Sequence, residues 1–369
     1  MNPDNSAGAV VRALLALLRA GLWECAPAAS GCFPLSAEAW GQLYRLARRQ
    51  TVTGIVFSGL QRLPDDLMPP EALLVRWAAE VDAIERRNRA VDAAVVELTS
   101  FFRSKGLNPI LQKGQGVALC YADPALRESG DIDFYFAGPK AFSAAVRYIR
   151  MGGVSASTQP DGSIHYRWRG IDVEHHRRLL DLHNPMLRSY AAGLASAWGN
   201  SAVELHSAHG STVSVPSPPL CLLLLNLHIL KHAVGRGIGL RQLCDFARAC
   251  HVFRSPAAEA EFVRVSRRLG LGRWDALLHA FLVDSLGLDA ASLPYPRRAS
   301  GAADLSAIVW RGGNFGFYSS AGRRSVGASA RSRKLLTARS FLSNLRFSFR
   351  YAPKESLWIM AGLVEGQFR

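Results

Sequence analysis

Residues 108–136, NPILQKGQGVALCYADPALRESGDIDFYF, decide how this chain is read. The apolar run Pro109-Ile110-Leu111 reads as a strand that ends in Lys113-Gly114. Residues 115–121 read as a short helix. Arg127 and Ser129-Gly130 then lead into Asp131-Ile132-Asp133 and Phe134-Tyr135-Phe136. In a strand, residues two apart share a face. Asp131 and Asp133 are therefore expected on one face, with Ile132 and Phe134 turned to the core. Neighbouring carboxylates raise each other's pKa unless a cation lies between them. A divalent ion answers that repulsion, and Mg²⁺ favours one or two carboxylates together with substrate phosphates. By the same repulsion, neutralising either aspartate should leave the metal-free fold as firm or firmer. The turns at Lys113-Gly114 and Ser129-Gly130 add a cation and backbone N–H groups, the parts that hold a polyphosphate beside a metal.

The order Lys-Gly, short helix, Arg-x-Ser-Gly-Asp-Ile-Asp resembles the nucleotidyltransferase superfamily with the polymerase-beta-like fold. It is most similar to the uncharacterised nucleotidyltransferases of bacterial biosynthetic and polysaccharide clusters. Two later segments extend the likeness, which runs from about residue 35 to near the C-terminus. Ile171-Asp172-Val173-Glu174-His175-His176-Arg177-Arg178-Leu179 resembles the strand that carries a third carboxylate. Asn226-Leu227-His228-Ile229-Leu230-Lys231-His232, with Arg241-Gln242-Leu243-Cys244-Asp245 after a glycine-rich turn, resembles the helical half.

The resemblance implies a metal-dependent transfer of an NMP group from NTP, with ATP as the default, to a hydroxyl or phosphate acceptor. Asp131, Asp133 and Glu174 would be the catalytic carboxylates and would hold Mg²⁺ or Mn²⁺. Lys113, Gly114, Gln115, Arg127, Ser129 and Gly130 would bind the nucleotide. His176, Arg178, His228, Lys231, His232 and Arg241 would face substrate or phosphate. Periodicity alone leaves Asp172 and Glu174 equivalent; the resemblance selects Glu174. Many relatives have Gly-Ser after the first strand, where this chain has Gly114-Gln115, so that hydroxyl contact comes from elsewhere or is lost. The acceptor is expected to be a small molecule, a sugar or a peptide. The rival readings are a toxin-like enzyme that modifies RNA or protein, and a nucleotide-binding module without catalysis.

Composition sets the frame. The chain has 369 residues, 44 Lys plus Arg against 29 Asp plus Glu, and a net charge of +15. That length suffices for two domains, and the charge suits an anionic partner such as nucleotide or RNA. The six cysteines are scattered without zinc spacing, as expected of buried thiols in a reducing compartment. The first ten residues lack the basic start of a signal peptide. The apolar run 220–225 stops at Asn226, short of a membrane span. These features read as a soluble cytoplasmic protein.

The expected fold is α+β: a small mixed sheet flanked by helical regions, divided as 1–105, 106–215 and 216–369. Helices are expected over 8–23, from an N-cap at Ser36, over 53–63, and over 71–104, where a heptad-like seam allows a break near Asn88. Residues 139–151 read as a helix, and 163–168 with 170–176 as a hairpin. From Pro185 onward the pattern reads as helical. Arg241 and Asp245, four apart, are candidates to pair. Between Leu305 and Lys354 lie ten basic residues and no acidic one. This stretch, with Arg331, Arg333 and Lys334, is either an RNA-gripping face or a solvated one whose aromatics belong to the core.

Overall fold

The computed structural model describes residues 3–28, 31–159, 161–180, 182–204, 212–235, 237–294, 302–312 and 344–365. Four helices open the chain: α1 (Pro3–Trp23), α2 (Ala37–Arg49), α3 (Thr53–Leu60) and α4 (Glu71–Ser104). Ser36 caps α2, its side chain accepting from the Ala39 N–H, which satisfies one of the orphan donors of a helix start. The strand β1 (Ile110–Leu111) and the short helix α5 (Gln115–Ala118) follow, then β2 (Ile132–Tyr135) and α6 (Gly138–Met151). The strands β3 (Ala156–Thr158), β4 (Ile164–Trp168) and β5 (Ile171–His176) precede α7 (Pro185–Trp198). After β6 (Asn200–Glu204) and β7 (Thr212–Pro216) the described elements are helical: α8 (Pro218–Gly235), α9 (Leu240–Val252), α10 (Pro256–Leu269), α11 (Gly272–Leu286) and α12 (Ala302–Gly312). Two further helices span Leu345–Tyr351 and Pro353–Glu365.

The fold is α+β around one mixed sheet of 7 strands, ordered β3-β4-β5-β2-β1-β7-β6. β2 runs parallel to β5 and β1 parallel to β7. β4 pairs antiparallel with β5, as the alternation of both segments predicts. The sheet is wider than expected, because β6 and β7 lie where the sequence reads as helical. Thr212-Val213-Ser214-Val215 does alternate, but five residues are a weak periodic signal. What stabilises β7 is its pairing with β1, about a hundred positions earlier in the chain.

Alternation sorts the side chains of the central strands. Ile132, Phe134, Ile171, Val173 and His175 are buried. Beneath them pack Val91, Val95, Leu98 and Phe102 of α4 and Phe142, Val146 and Ile149 of α6. His175 is buried with its Nε2 2.9 Å from the Tyr166 hydroxyl, and burial pulls its imidazole down to about 3. The next residue, His176, faces the other way. A second core joins the N-terminal helices to α8, α9, α10, α11 and α12. Asn226 sits inside it, its amide donating to Asp275 and accepting from the Trp274 indole, each at 2.7 Å. By length and composition α8 could cross a membrane, but 67% of that window is buried inside the protein, so α8 is a core helix here. Cys25 is exposed, against the expectation of buried thiols; Cys120, Cys221, Cys244 and Cys250 are buried. Of the aromatics in the basic C-terminal segment, Phe347 and Tyr351 pack against the second core. Arg331, Arg333 and Lys334 lie outside the described residues.

The break considered near Asn88 does not occur, since α4 is one helix of 34 residues. Asn88 is buried, and its amide donates to the carbonyls of Ala125 at 2.6 Å and Arg127 at 2.8 Å. A polar residue on an apolar seam is explained by this contact, which moors the loop that enters β2. Replacing Asn88 with Leu should raise helix propensity yet destabilise the protein by about 1–3 kcal/mol, because two buried carbonyls lose their donor. Urea denaturation measures this; a variant as stable as the parent would remove the mooring role.

Candidate active site

The register of two parallel strands builds the site. Asp133 of β2 lies opposite Glu174 of β5, and Glu174 lies opposite His165 of β4. His176, two residues beyond Glu174, shares its face. His176 bridges the two carboxylates, with Nε2 2.7 Å from Asp133 Oδ1 and Nδ1 3.5 Å from Glu174 Oε1. His165 Nε2 holds Glu174 Oε1 at 3.0 Å. Lys113, just beyond β1, reaches the same Asp133 oxygen with its Nζ at 2.8 Å. The next residue, Gly114, has φ +66° and caps α5, a backbone region open to glycine and costly for side chains. Gln112 fixes the neighbouring backbone, its amide donating to the Arg178 carbonyl at 3.1 Å.

Asp172 stands apart. It is exposed and takes Arg167 Nε at 2.8 Å, whereas Glu174 lies opposite Asp133. Ligand atoms of Asp133, Glu174 and His176 lie within 4.8 Å of one another. Oxygen-rich donors of this kind fit a hard divalent cation. Asp131, expected as a ligand beside Asp133, is outside that group. It lies just before β2, exposed, at the rim of the cavity described next.

A partly open cavity lies between the sheet and the helical half. Lys113, Gly114, Gly130, Asp131 and Asp133 line it together with Arg127, His228, Arg241 and Asp245. Arg127 is buried and gives Nε and Nη2 to the two oxygens of Asp245, each at 2.7 Å. Tyr121 donates its hydroxyl to the same carboxylate at 2.8 Å. Asp245 is thus gripped by Arg127, not chiefly by the Arg241 four residues before it. Arg241 Nη1 donates to the Glu128 carbonyl at 3.0 Å.

The remaining candidates lie off the cavity lining. Gln115 is buried, and its amide donates to Asp92 of α4 at 2.6 Å. The Ser129 hydroxyl oxygen is buried with no hydrogen-bond partner among the described residues. Arg178 is exposed. His232 lies edge-on to His228, ring centroids 4.5 Å apart, and Lys231 is half-buried between them in sequence. Sequence reasoning missed His165, Asn88 and Glu128. His165 had a signal, since the hairpin sets it opposite Glu174; Glu128, whose carboxylate accepts from the Thr53 N–H at 2.7 Å, had none.

Electrostatics separates the two aspartates. Burial works against the Asp133 charge, but Lys113 and His176 outweigh it and hold the carboxyl well below the usual range. Asp131 is pushed up, chiefly by the neighbouring charge of Asp133. Burial opposes the Lys113 charge too, and Asp133 with Asp131 overcomes it and raises the ammonium. His228 is drawn well below its ordinary value by burial and by the Lys113 charge. These opposite shifts split the expectation for the metal-free fold between the two aspartates. At neutral pH without metal, Asp131→Asn should melt at the parent temperature or above. Asp133→Asn should lose about 1–3 kcal/mol, because it strips a partly buried ammonium of its partner. A depressed carboxyl stabilises above its unfolded pKa, so the deficit of Asp133→Asn should shrink as pH falls below roughly 4. Thermal melts across pH 2–7 check this; equal melting of both variants would contradict the split.

Comparison with known proteins places the chain in a family. A family model described as uncharacterised nucleotidyltransferase matches residues 36–282. No functionally curated protein matches the chain. Among solved structures, the chain is similar to an antigenic nucleotidyltransferase-like protein from Paracoccidioides brasiliensis, with 13% identity and a TM-score of 0.32, covering 54% of this chain and 92% of that one. The matched segment runs from α2 through the whole sheet into α11, well over half of the chain, and the protein belongs to the family of uncharacterised nucleotidyltransferases.

Proposed function

We propose that this protein transfers an NMP group from a nucleoside triphosphate, ATP by default, to a hydroxyl of a small molecule, sugar or peptide, with a divalent cation, Mg²⁺ or Mn²⁺, at Asp133 and Glu174. The observation that carries the proposal is Asp133 facing Glu174 across parallel strands while Lys113 reaches the same carboxylate from the cavity. The cation, when bound, would neutralise phosphate charge and stabilise the charge that develops on the transferring group. Asp131, on the same strand face at the cavity rim, stands ready to join its donor set.

The protein's own groups have distinct tasks. Lys113 is a point charge beside phosphate oxygens. Gly114, with no side chain, lets the backbone at the start of α5 approach the phosphates closely. Glu174, oriented by His165 and His176, accepts the proton of the acceptor hydroxyl. The acceptor oxygen attacks the α-phosphorus, the bond from that phosphorus to the bridging oxygen breaks in line, and pyrophosphate leaves with the electron pair. The departure at Gly114-Gln115 has a structural counterpart, because Gln115 braces Asp92 instead of presenting a hydroxyl. Phosphate binding beside the cation then rests on Lys113.

Incubation with each α-labelled NTP, Mg²⁺ and panels of acceptors tests the activity, with pyrophosphate release as the readout. Glu174→Gln should reduce turnover far more than Asp172→Asn, since Asp172 is engaged by Arg167 on the exposed end of β5. The reverse order would move the third carboxylate to Asp172. Lys113→Ala should weaken NTP binding by about 1.5–3 kcal/mol, the range for a charged hydrogen bond. Unchanged affinity by calorimetry would leave Lys113 with a purely structural role.

A further inference from the structure

Besides carboxylates, the cavity has a wall with two guanidinium groups, Arg127 and Arg241, that the transfer step does not use. Arg127 lines that wall and is 4% exposed. Two of its nitrogens, Nε and Nη2, are taken by Asp245. The third, Nη1, is buried and has no hydrogen-bond partner among the described residues. Leaving a buried donor unmet costs about 1–3 kcal/mol, and more on a charged group. Such donors are rare in native interiors, and one in a cavity points to a ligand that meets it.

Arg241 stands alongside on the same wall. A Cβ on Gly130 would lie 3.7 and 3.8 Å from its Nη2 and Nη1, so the glycine keeps the space over the Arg241 head clear. Burial lowers the Arg241 guanidinium, and the Arg127 charge lowers it further. Two like charges are thus held close in a buried setting, with Asp245 gripped from one side by Arg127. A metal is repelled by such a wall. A phosphate group fits it, because guanidinium forks match phosphate oxygens and are only weakly hydrated.

We propose that Arg127 and Arg241 form an anion subsite that binds a phosphate group without help from the metal site. The phosphate belongs either to the tail of the NTP or to an acceptor that is itself phosphorylated. The subsite is built from Arg127 and its surroundings, so it stands or falls apart from the transfer reading. Anion binding without any nucleotidyl transfer would sink that reading and leave the subsite; transfer without anion binding would do the opposite.

The test is calorimetric titration of the full chain with inorganic pyrophosphate in EDTA, backed by thermal shift. The wild type should bind saturably and melt higher when bound. Asp131→Asn should bind at least as tightly, since it removes a repelling charge from the cavity. Arg127→Lys keeps a cation opposite Asp245 but has no spare nitrogen, and should bind about tenfold more weakly or worse. Gly130→Ala leaves the buried pair untouched and fills the space over Arg241, so it should weaken binding even if Arg127→Lys fails to fold. A non-hydrolysable NTP analogue with Mg²⁺ identifies the source: exclusion of pyrophosphate assigns the subsite to the NTP tail, and simultaneous binding assigns it to the acceptor. Absence of saturable binding to the wild type, binding that appears only with metal, or unchanged affinity in both Arg127→Lys and Gly130→Ala would overturn the subsite.

Discussion

Asp133 is a carboxylate buried in the middle of a sheet, and a buried carboxylate must be answered by positive charge. The chain answers it from two directions. Lys113 arrives from the end of β1, and His176 from β5, both on the same oxygen. Neither could do so without the sheet order that places β2 between β1 and β5. The same order sets Glu174 opposite Asp133, so the charge that must be compensated becomes a two-carboxylate site with a built-in cation. A divalent ion entering there competes with Lys113 and His176 for Asp133, and a displaced ammonium would then be placed to meet phosphate.

The site is held between two halves by buried polar contacts. Arg127 leaves the loop before β2 and locks onto Asp245 of α9, while Asn88 of α4 moors that loop from behind. Tyr121 adds a third donor to Asp245. Breaking one partner of such a buried pair costs far more than the pair contributes net. The polar contacts therefore fix where the helical half sits against the sheet, and the apolar cores provide the bulk of the stability. A cavity lined by both carboxylates and guanidinium groups is the result.

Much of this was legible in the sequence where the interaction is local. Alternation placed Ile132 and Phe134 inside and put Asp133 on the functional face. It paired residues 163–168 with 170–176, and Ser36 announced its helix. What failed was long-range. Periodicity could not separate Asp172 from Glu174, because what sets them apart in space is register with β2 and the pairing with Arg167. The i, i+4 spacing suggested Asp245 for Arg241, whereas a residue 118 positions away took it. β6 and β7 were missed because short strands carry little periodic signal, and their pairing with each other and of β7 with β1 makes up the difference. Asn88 looked like a weak point in a helix because its partners lie in a loop that sequence cannot place.

The central claim is that Asp133 and Glu174 together hold a divalent cation. The most direct test is a Mn²⁺ titration followed by electron paramagnetic resonance, in the presence of a non-hydrolysable NTP analogue. The account predicts saturable loss of the free-ion signal for the wild type, and loss of that binding in both Asp133→Asn and Glu174→Gln with the fold intact. Binding that survives both substitutions, or a wild type that takes up no Mn²⁺, would contradict it.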